Sequence, residues 1–148
     1  MIQRGVSPEL WKGDSMMEKK QIIIKVKKNL DEIARKITDT DIKKVLAEYN
    51  NVKKMANKLP GLIKGVKEDT LILLGMVKDY WSGKYRNVSW YTIAISVAAL
   101  LYLISPIDVI PDWIFAVGLV DDAMLIKLAL DAIEKDYKKY KKWKKAQQ

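Results

Sequence analysis

The chain has 148 residues, a formal net charge of +9 and 49% apolar residues, enough for one domain with a real core. It contains no cysteine and no histidine, which excludes disulfide frameworks, cysteine-based zinc sites and Ser–His or Cys–His catalysis. Glycine and proline number only 7 and 4, which argues against a loop-rich β fold and against a disordered chain.

The charge is unevenly placed. Residues 88–126 hold four aspartates and no basic group, whereas residues 127–148 hold eight lysines against three acidic residues. A basic surface suits an anionic partner, either lipid or nucleic acid. Residues 1–16 show no periodicity and read as a flexible lead-in. The first twenty residues lack the apolar run of a signal peptide, so a cytoplasmic location is expected.

From Glu18 to Ile37, Ile23, Val26, Leu30, Ile33 and Ile37 recur at spacings of three and four, the stripe of an amphipathic helix. Thr38, Asp39, Thr40 and Asp41 are capping types. A second stripe follows through Ile42, Val45, Tyr49, Val52, Ala56 and Leu59, until Pro60-Gly61 stops it. These two helices, spanning 17–60, are expected to pair as a short antiparallel hairpin. A third helix is predicted from Leu62 to Trp81. It is apolar on most sides in its second half and ends at Ser82-Gly83.

Val88–Ile104 is the most hydrophobic segment. Residues 87–107 carry no formal charge over 21 positions, long enough to span a bilayer core. Lys84 and Arg86 before it fit a cytoplasmic flank, and Trp90 and Tyr91 fit an interfacial belt. Ser89, Thr92, Ser96, Tyr102, Ala94, Ala98 and Ala99 equally suit the central helix of a soluble bundle. Both readings stand at this level.

Residues 105–122 read SPIDVIPDWIFAVGLVDD. Ser105, Pro106 and Asp108 suit the N-cap, first and third positions of a helix. Pro111 breaks that helix and Asp112 caps another. Gly118 permits a further turn, and Asp121 or Asp122 caps the last helix from Ala123 onward. Each aspartate is thus explained by helix capping. The competing reading joins Asp108, Asp112, Asp121 and Asp122 as hard oxygen ligands for a divalent metal, although their spacing matches no EF-hand loop. Capping carries more weight because it accounts for every carboxylate. No phosphate-cradling glycine loop or acid–base pair stands out, so no cofactor and no enzymatic activity are expected.

The run LLYLISPIDVIPDWIFAVGLVDDA resembles the YkvA-like domain-of-unknown-function family. The matching residues are Tyr102, Ser105, Pro106, Asp108, Pro111, Asp112, Gly118, Asp121 and Asp122, and Tyr80–Arg86 resembles the family's lead-in. The likeness runs from about Leu73 to Leu130. Members often carry proline where this chain has Phe115, a departure at the bend after Trp113. The resemblance implies a compact helical module, often described as membrane-associated, which in some eukaryotic relatives accompanies a membrane-embedded ubiquitin-ligase RING. It transfers no catalytic residue.

The last helix is predicted to run to about Lys145 on a stripe of Ile126, Ala129, Leu130, Ile133, Tyr137 and Tyr140. Seven lysines crowd residues 135–145, interleaved with Tyr137, Tyr140 and Trp143. Lys138, Lys139, Lys141, Lys142, Lys144 and Lys145 are the candidate contacts to an anionic surface. The alternatives are a solvated helix end and nucleic-acid binding. The chain's three arginines, the better base readers, lie far upstream, so nucleic acid is the less favoured partner.

The expected architecture is all-α, a small bundle of about five helices. An N-terminal helical pair packs on, or extends from, a bent C-terminal helical core over 61–148. The leading functional expectation is a non-enzymatic, membrane-associated module. A soluble protein-interaction domain with structural aspartate caps, a metal-binding domain and a weak nucleic-acid binder are the alternatives. The sequence leaves the partner and the oligomeric state open.

Overall fold

The computed structural model describes residues 14–58, 65–104 and 122–148. Every regular element among them is an α-helix: α1 (Asp14–Lys36), α2 (Asp39–Ala47), α3 (Tyr49–Asn57), α4 (Val66–Ser82), α5 (Trp90–Ile104), α6 (Asp122–Ala132) and α7 (Glu134–Ala146). The all-α bundle agrees with the sequence reading; the helix count does not. Among the described residues seven helices stand where about five were expected, because two predicted helices are each divided by one residue. Glu48 leaves helical geometry at φ −99°, ψ 21°, which separates α2 from α3. Ile133 does so at φ −122°, ψ 20°, which separates α6 from α7. The hydrogen-bond ladder bridges both breaks, with Val52 N–H to Glu48 O at 2.8 Å and Tyr137 N–H to Ile133 O at 2.9 Å. The apolar stripe therefore continues while the axis bends.

Local chemistry sets the helix ends. The N–H of Thr38 donates to the Asp41 carboxylate at 2.9 Å, one arm of a capping box at the start of α2. Gly83 closes α4 with φ +86°, a left-handed conformation that side chains rarely adopt. The connector then folds back on the carbonyl end of α4. The N–H of Tyr85 reaches Asp79 O at 3.1 Å, and the Arg86 guanidinium donates to Tyr80 O at 2.7 Å.

α5 is the centre of the bundle. Twelve of its 15 residues, Thr92 to Leu103, are buried. α1, α2, α3, α4 and α6 all pack against it. Ala94, Ala98 and Ala99 are essentially inaccessible, and their small side chains let neighbouring helices approach closely. Two of the buried hydroxyls of α5 are satisfied as follows. Ser96 Oγ donates to Thr92 O at 2.8 Å and Thr92 Oγ1 donates to Asp136 at 2.7 Å. Within the stretch that qualified by length as a bilayer span, Thr92 to Leu103 are covered by protein. Among the described residues no helix is long and apolar enough to cross a membrane.

The N-terminal helices depart from the expected hairpin. α1 begins at Asp14, earlier than the lead-in predicts, and lies chiefly along α5 with further contact to α6. α3 packs on α4 and α5. One cluster of buried apolar side chains draws on all seven helices, from Leu30 in α1 to Tyr140 in α7. The reason is the demand of α5: a helix buried on every side needs more cover than one C-terminal segment supplies.

Leu100 is fully buried at the middle of α5, whereas Ile24 on α1 is 64% exposed. Leu100→Ala is expected to destabilise the protein by about 2–5 kcal/mol, and Ile24→Ser to change it by less than about 0.5 kcal/mol. Urea unfolding followed by circular dichroism checks both.

Candidate membrane-facing surface and the latches of the last helix

The proline–aspartate stretch falls outside the described residues. Ser105, Pro106, Asp108, Pro111, Asp112, Gly118 and Asp121 lie there, as does the side chain of Asp122, whose backbone opens α6. The metal reading of Asp108, Asp112, Asp121 and Asp122 lies there too. Among the described residues, no three potential ligands come close enough to hold a metal ion.

α7 is pinned by carboxylates from other elements. Tyr137 Oη donates to Asp69 at 2.7 Å, and Tyr140 Oη donates to Asp79 at 2.7 Å. A lysine completes each pair: Lys127 of α6 at 3.5 Å from Asp69, and Lys144 at 3.3 Å from Asp79. Asp79 is only 5% exposed, so its two partners are what make burial of the charge tolerable. Gly75 stands where α4 and α7 come close, since a Cβ there would lie 3.2 Å from Tyr140 Oη.

A third latch joins α7 to the start of α5. Asp136 accepts the N–H of Ser89 at 3.1 Å, the Ser89 hydroxyl at 3.2 Å and the Thr92 hydroxyl at 2.7 Å. A fourth joins α5 to α1, where the Tyr91 hydroxyl donates to Asp31. Between them, Tyr85 of the connector meets the rings of Tyr140 and Trp143 at centroid distances of 5.2 and 4.8 Å.

These contacts set the protonation of the groups involved. Burial, then the hydrogen bond to Asp79 and its charge, drive the Tyr140 hydroxyl far above its ordinary value. Burial and Asp69 do the same to Tyr137. Tyr91 is pushed up to about 12 by partial burial and by its bond to Asp31, against a small opposing effect of Arg35. For Asp136 burial acts upward but is outweighed. The Thr92 and Ser89 bonds and the Lys139 charge hold its carboxyl below the usual value. The tyrosines serve as fixed donors and the aspartates as fixed acceptors, so the arrangement clamps helices and leaves no activated nucleophile.

With its aromatic face pinned, α7 turns its lysines outward. Lys135, Lys138, Lys139, Lys141, Lys142, Lys144 and Lys145 are all exposed. Two have acidic partners, Lys138 with Glu134 at 3.0 Å and Lys144 with Asp79. The six candidate anion contacts thus share one helix, with Lys144 committed to the buried carboxylate. Beside the connector, Trp81, Trp90 and Tyr91 remain 36, 41 and 43% exposed. Lys43 lies 5.8 Å from the Trp81 ring centre, and Arg86 lies 5.0 Å from that of Tyr80.

Periodicity identified Tyr137 and Tyr140 as inward-facing but not their partners. Asp69, Asp79 and Asp136 carry no mark in the periodicity, and Asp31 reads only as part of the solvated face of the first helix. The available signal was an aspartate, Asp79, in the apolar half of α4, where an unpaired charge is costly.

Residues 92–128 match a family described as protein of unknown function (DUF1232). Over this segment the chain is similar to that family. It is 36% identical over 61 residues to a Bacillus subtilis (strain 168) protein called "Uncharacterized membrane protein YkvA", a match covering 41% of this chain and 58% of that relative. No solved structure matches. Among the described residues the matched segment takes in nearly all of α5 and the first half of α6, and it does not reach the lysines of α7.

The latches predict a stability profile with two edges. Tyr137 and Tyr140 have folded values raised above the ordinary 10.0, so their contribution is complete below pH 10 and is lost as pH rises beyond it. Asp136 has a folded value below the ordinary 3.8, so its contribution is complete above that pH and is lost as pH falls further. Thermal unfolding across pH is expected to show both declines. Tyr140→Phe, which leaves Asp79 with Lys144 alone, is expected to cost about 1–3 kcal/mol and to reduce the alkaline decline.

Proposed function

We propose that this chain is a non-enzymatic helical module that docks peripherally on an anionic membrane surface at the cytoplasmic side. The observation that carries this reading is the exposure of three aromatic side chains, Trp81, Trp90 and Tyr91, flanking the connector between α4 and α5. Two indoles left in contact with water beside Lys43, Lys84 and Arg86 form the combination that partitions into a lipid headgroup region. The connector between them rests against α7 through Tyr85 and Ser89, which brings the lysine-rich helix to the same part of the molecule. Lysines near an anionic surface contribute about 1 kcal/mol each, screened by salt. The name of the Bacillus relative, a membrane protein, supports the same direction.

Contact of this kind uses side chains at the surface and leaves α5 buried. It draws nothing from Asp108, Asp112, Asp121 or Asp122. Co-sedimentation with phosphatidylglycerol vesicles is expected to capture the protein at low salt and release it as salt rises, with little capture by phosphatidylcholine vesicles. Trp81→Ala/Trp90→Ala and Lys139→Gln/Lys142→Gln are each expected to weaken capture about tenfold while circular dichroism stays unchanged. Equal capture by neutral vesicles, or undiminished capture of the folded aromatic variant, overturns the reading.

A further inference from the structure

α4 and α7 enclose a groove of about 380 Å³ whose two walls differ in chemistry. One wall is Leu71, Ile72 and Gly75 of α4, apolar and only partly buried. The other is formed by Lys141, Lys144 and Lys145 of α7, with Tyr140 at its base. Gly75 lets Tyr140 sit close to α4 at the floor of this space, since a methyl group there would lie 3.2 Å from Tyr140 Oη.

We propose that this groove binds the single hydrocarbon chain of a long-chain fatty acid, with its carboxylate on the lysine wall. The apolar wall removes methylene groups from water, at about 0.8 kcal/mol for each one buried. The lysine stems continue that apolar lining while their ammonium groups stay at the rim. The volume lies near the lower limit of small-ligand clefts, about 300 Å³, which fits one acyl chain and is too small for the face of a partner helix. The charge balance at the rim favours an anion. Asp79 is already engaged by Tyr140 and Lys144. Lys141 lies over the Tyr137 ring at 5.3 Å, a contact that leaves its charge uncompensated. Glu68, exposed one turn before Ile72, discourages the carboxylate from that end of α4. The head group is therefore directed to Lys141 and Lys145.

Neither Trp81 and Trp90 nor Lys139 and Lys142 line the groove, so this site and the membrane contact proposed above can be tested separately. Isothermal calorimetry with myristate kept below its micelle concentration is expected to give one site per chain. Myristyl alcohol, which has the same chain without the charge, is expected to bind at least about tenfold more weakly. Ile72→Trp fills the groove from an edge that is already partly exposed and is expected to abolish myristate binding. Lys141→Glu/Lys145→Glu is expected to weaken it about tenfold or more. Trp81→Ala/Trp90→Ala is expected to leave it unchanged, and Ile72→Trp is expected to keep its capture by phosphatidylglycerol vesicles, which separates a free fatty acid from a bilayer lipid as the source of the chain. Absence of a one-to-one isotherm overturns the proposal. So does equal binding of the alcohol, or undiminished binding by folded Ile72→Trp.

Discussion

Burial of α5 is the constraint from which the rest of the architecture follows. A 15-residue helix with no formal charge and twelve buried positions cannot be left with one side in water. Five helices supply its cover, and they come from both halves of the chain. This requirement recruits α1, which packs chiefly on α5. It also explains why Thr92 and Ser96 carry hydroxyls without penalty, one bonded to Asp136 and the other to its own helix backbone.

The second organising feature is the set of hydroxyl–carboxylate contacts that hold α7. Hydrophobic burial alone fixes a stripe toward the core but tolerates sliding along it. Tyr137 with Asp69, Tyr140 with Asp79 and Asp136 with Ser89 and Thr92 remove that freedom, because each bond requires one register. The outward direction of the lysines is a consequence. A helix with Tyr137 and Tyr140 buried must present Lys138, Lys139, Lys141, Lys142 and Lys145 on the remaining arc. Fold and surface charge are thus coupled through Asp69, Asp79 and Asp136, none of which faces a partner itself.

Much of this was legible in the sequence, and the limits have physical causes. The three-four stripes located Leu30, Ile42, Val45, Val52 and Ala56 on buried faces, because amphipathicity is a local property. Gly83 was readable as a stop because only glycine suits its positive φ. The breaks at Glu48 and Ile133 were not readable, since neither residue is a glycine or proline and the apolar stripe runs through both. Hydropathy alone left α5 between a membrane span and a buried helix; what decides is which elements surround it, and that depends on partners far along the chain. The same holds for the candidate surface. Lysine density on α7 was visible, but the pairing of Lys144 with Asp79, 65 positions away, belongs to the tertiary fold. The resemblance to the YkvA-like family, by contrast, rested on a motif and is matched over residues 92–128.

Protein, rather than lipid, covers Thr92 to Leu103 at the apolar centre, and the proposed contact with a membrane uses only side chains at the surface. Hydrogen exchange of the α5 amides tests this most directly. In buffer without detergent, Ile93 to Leu103 are predicted to exchange among the slowest in the chain, with no change when phosphatidylglycerol vesicles are added. Fast exchange in buffer, with protection arising only after lipid or detergent is supplied, would contradict it.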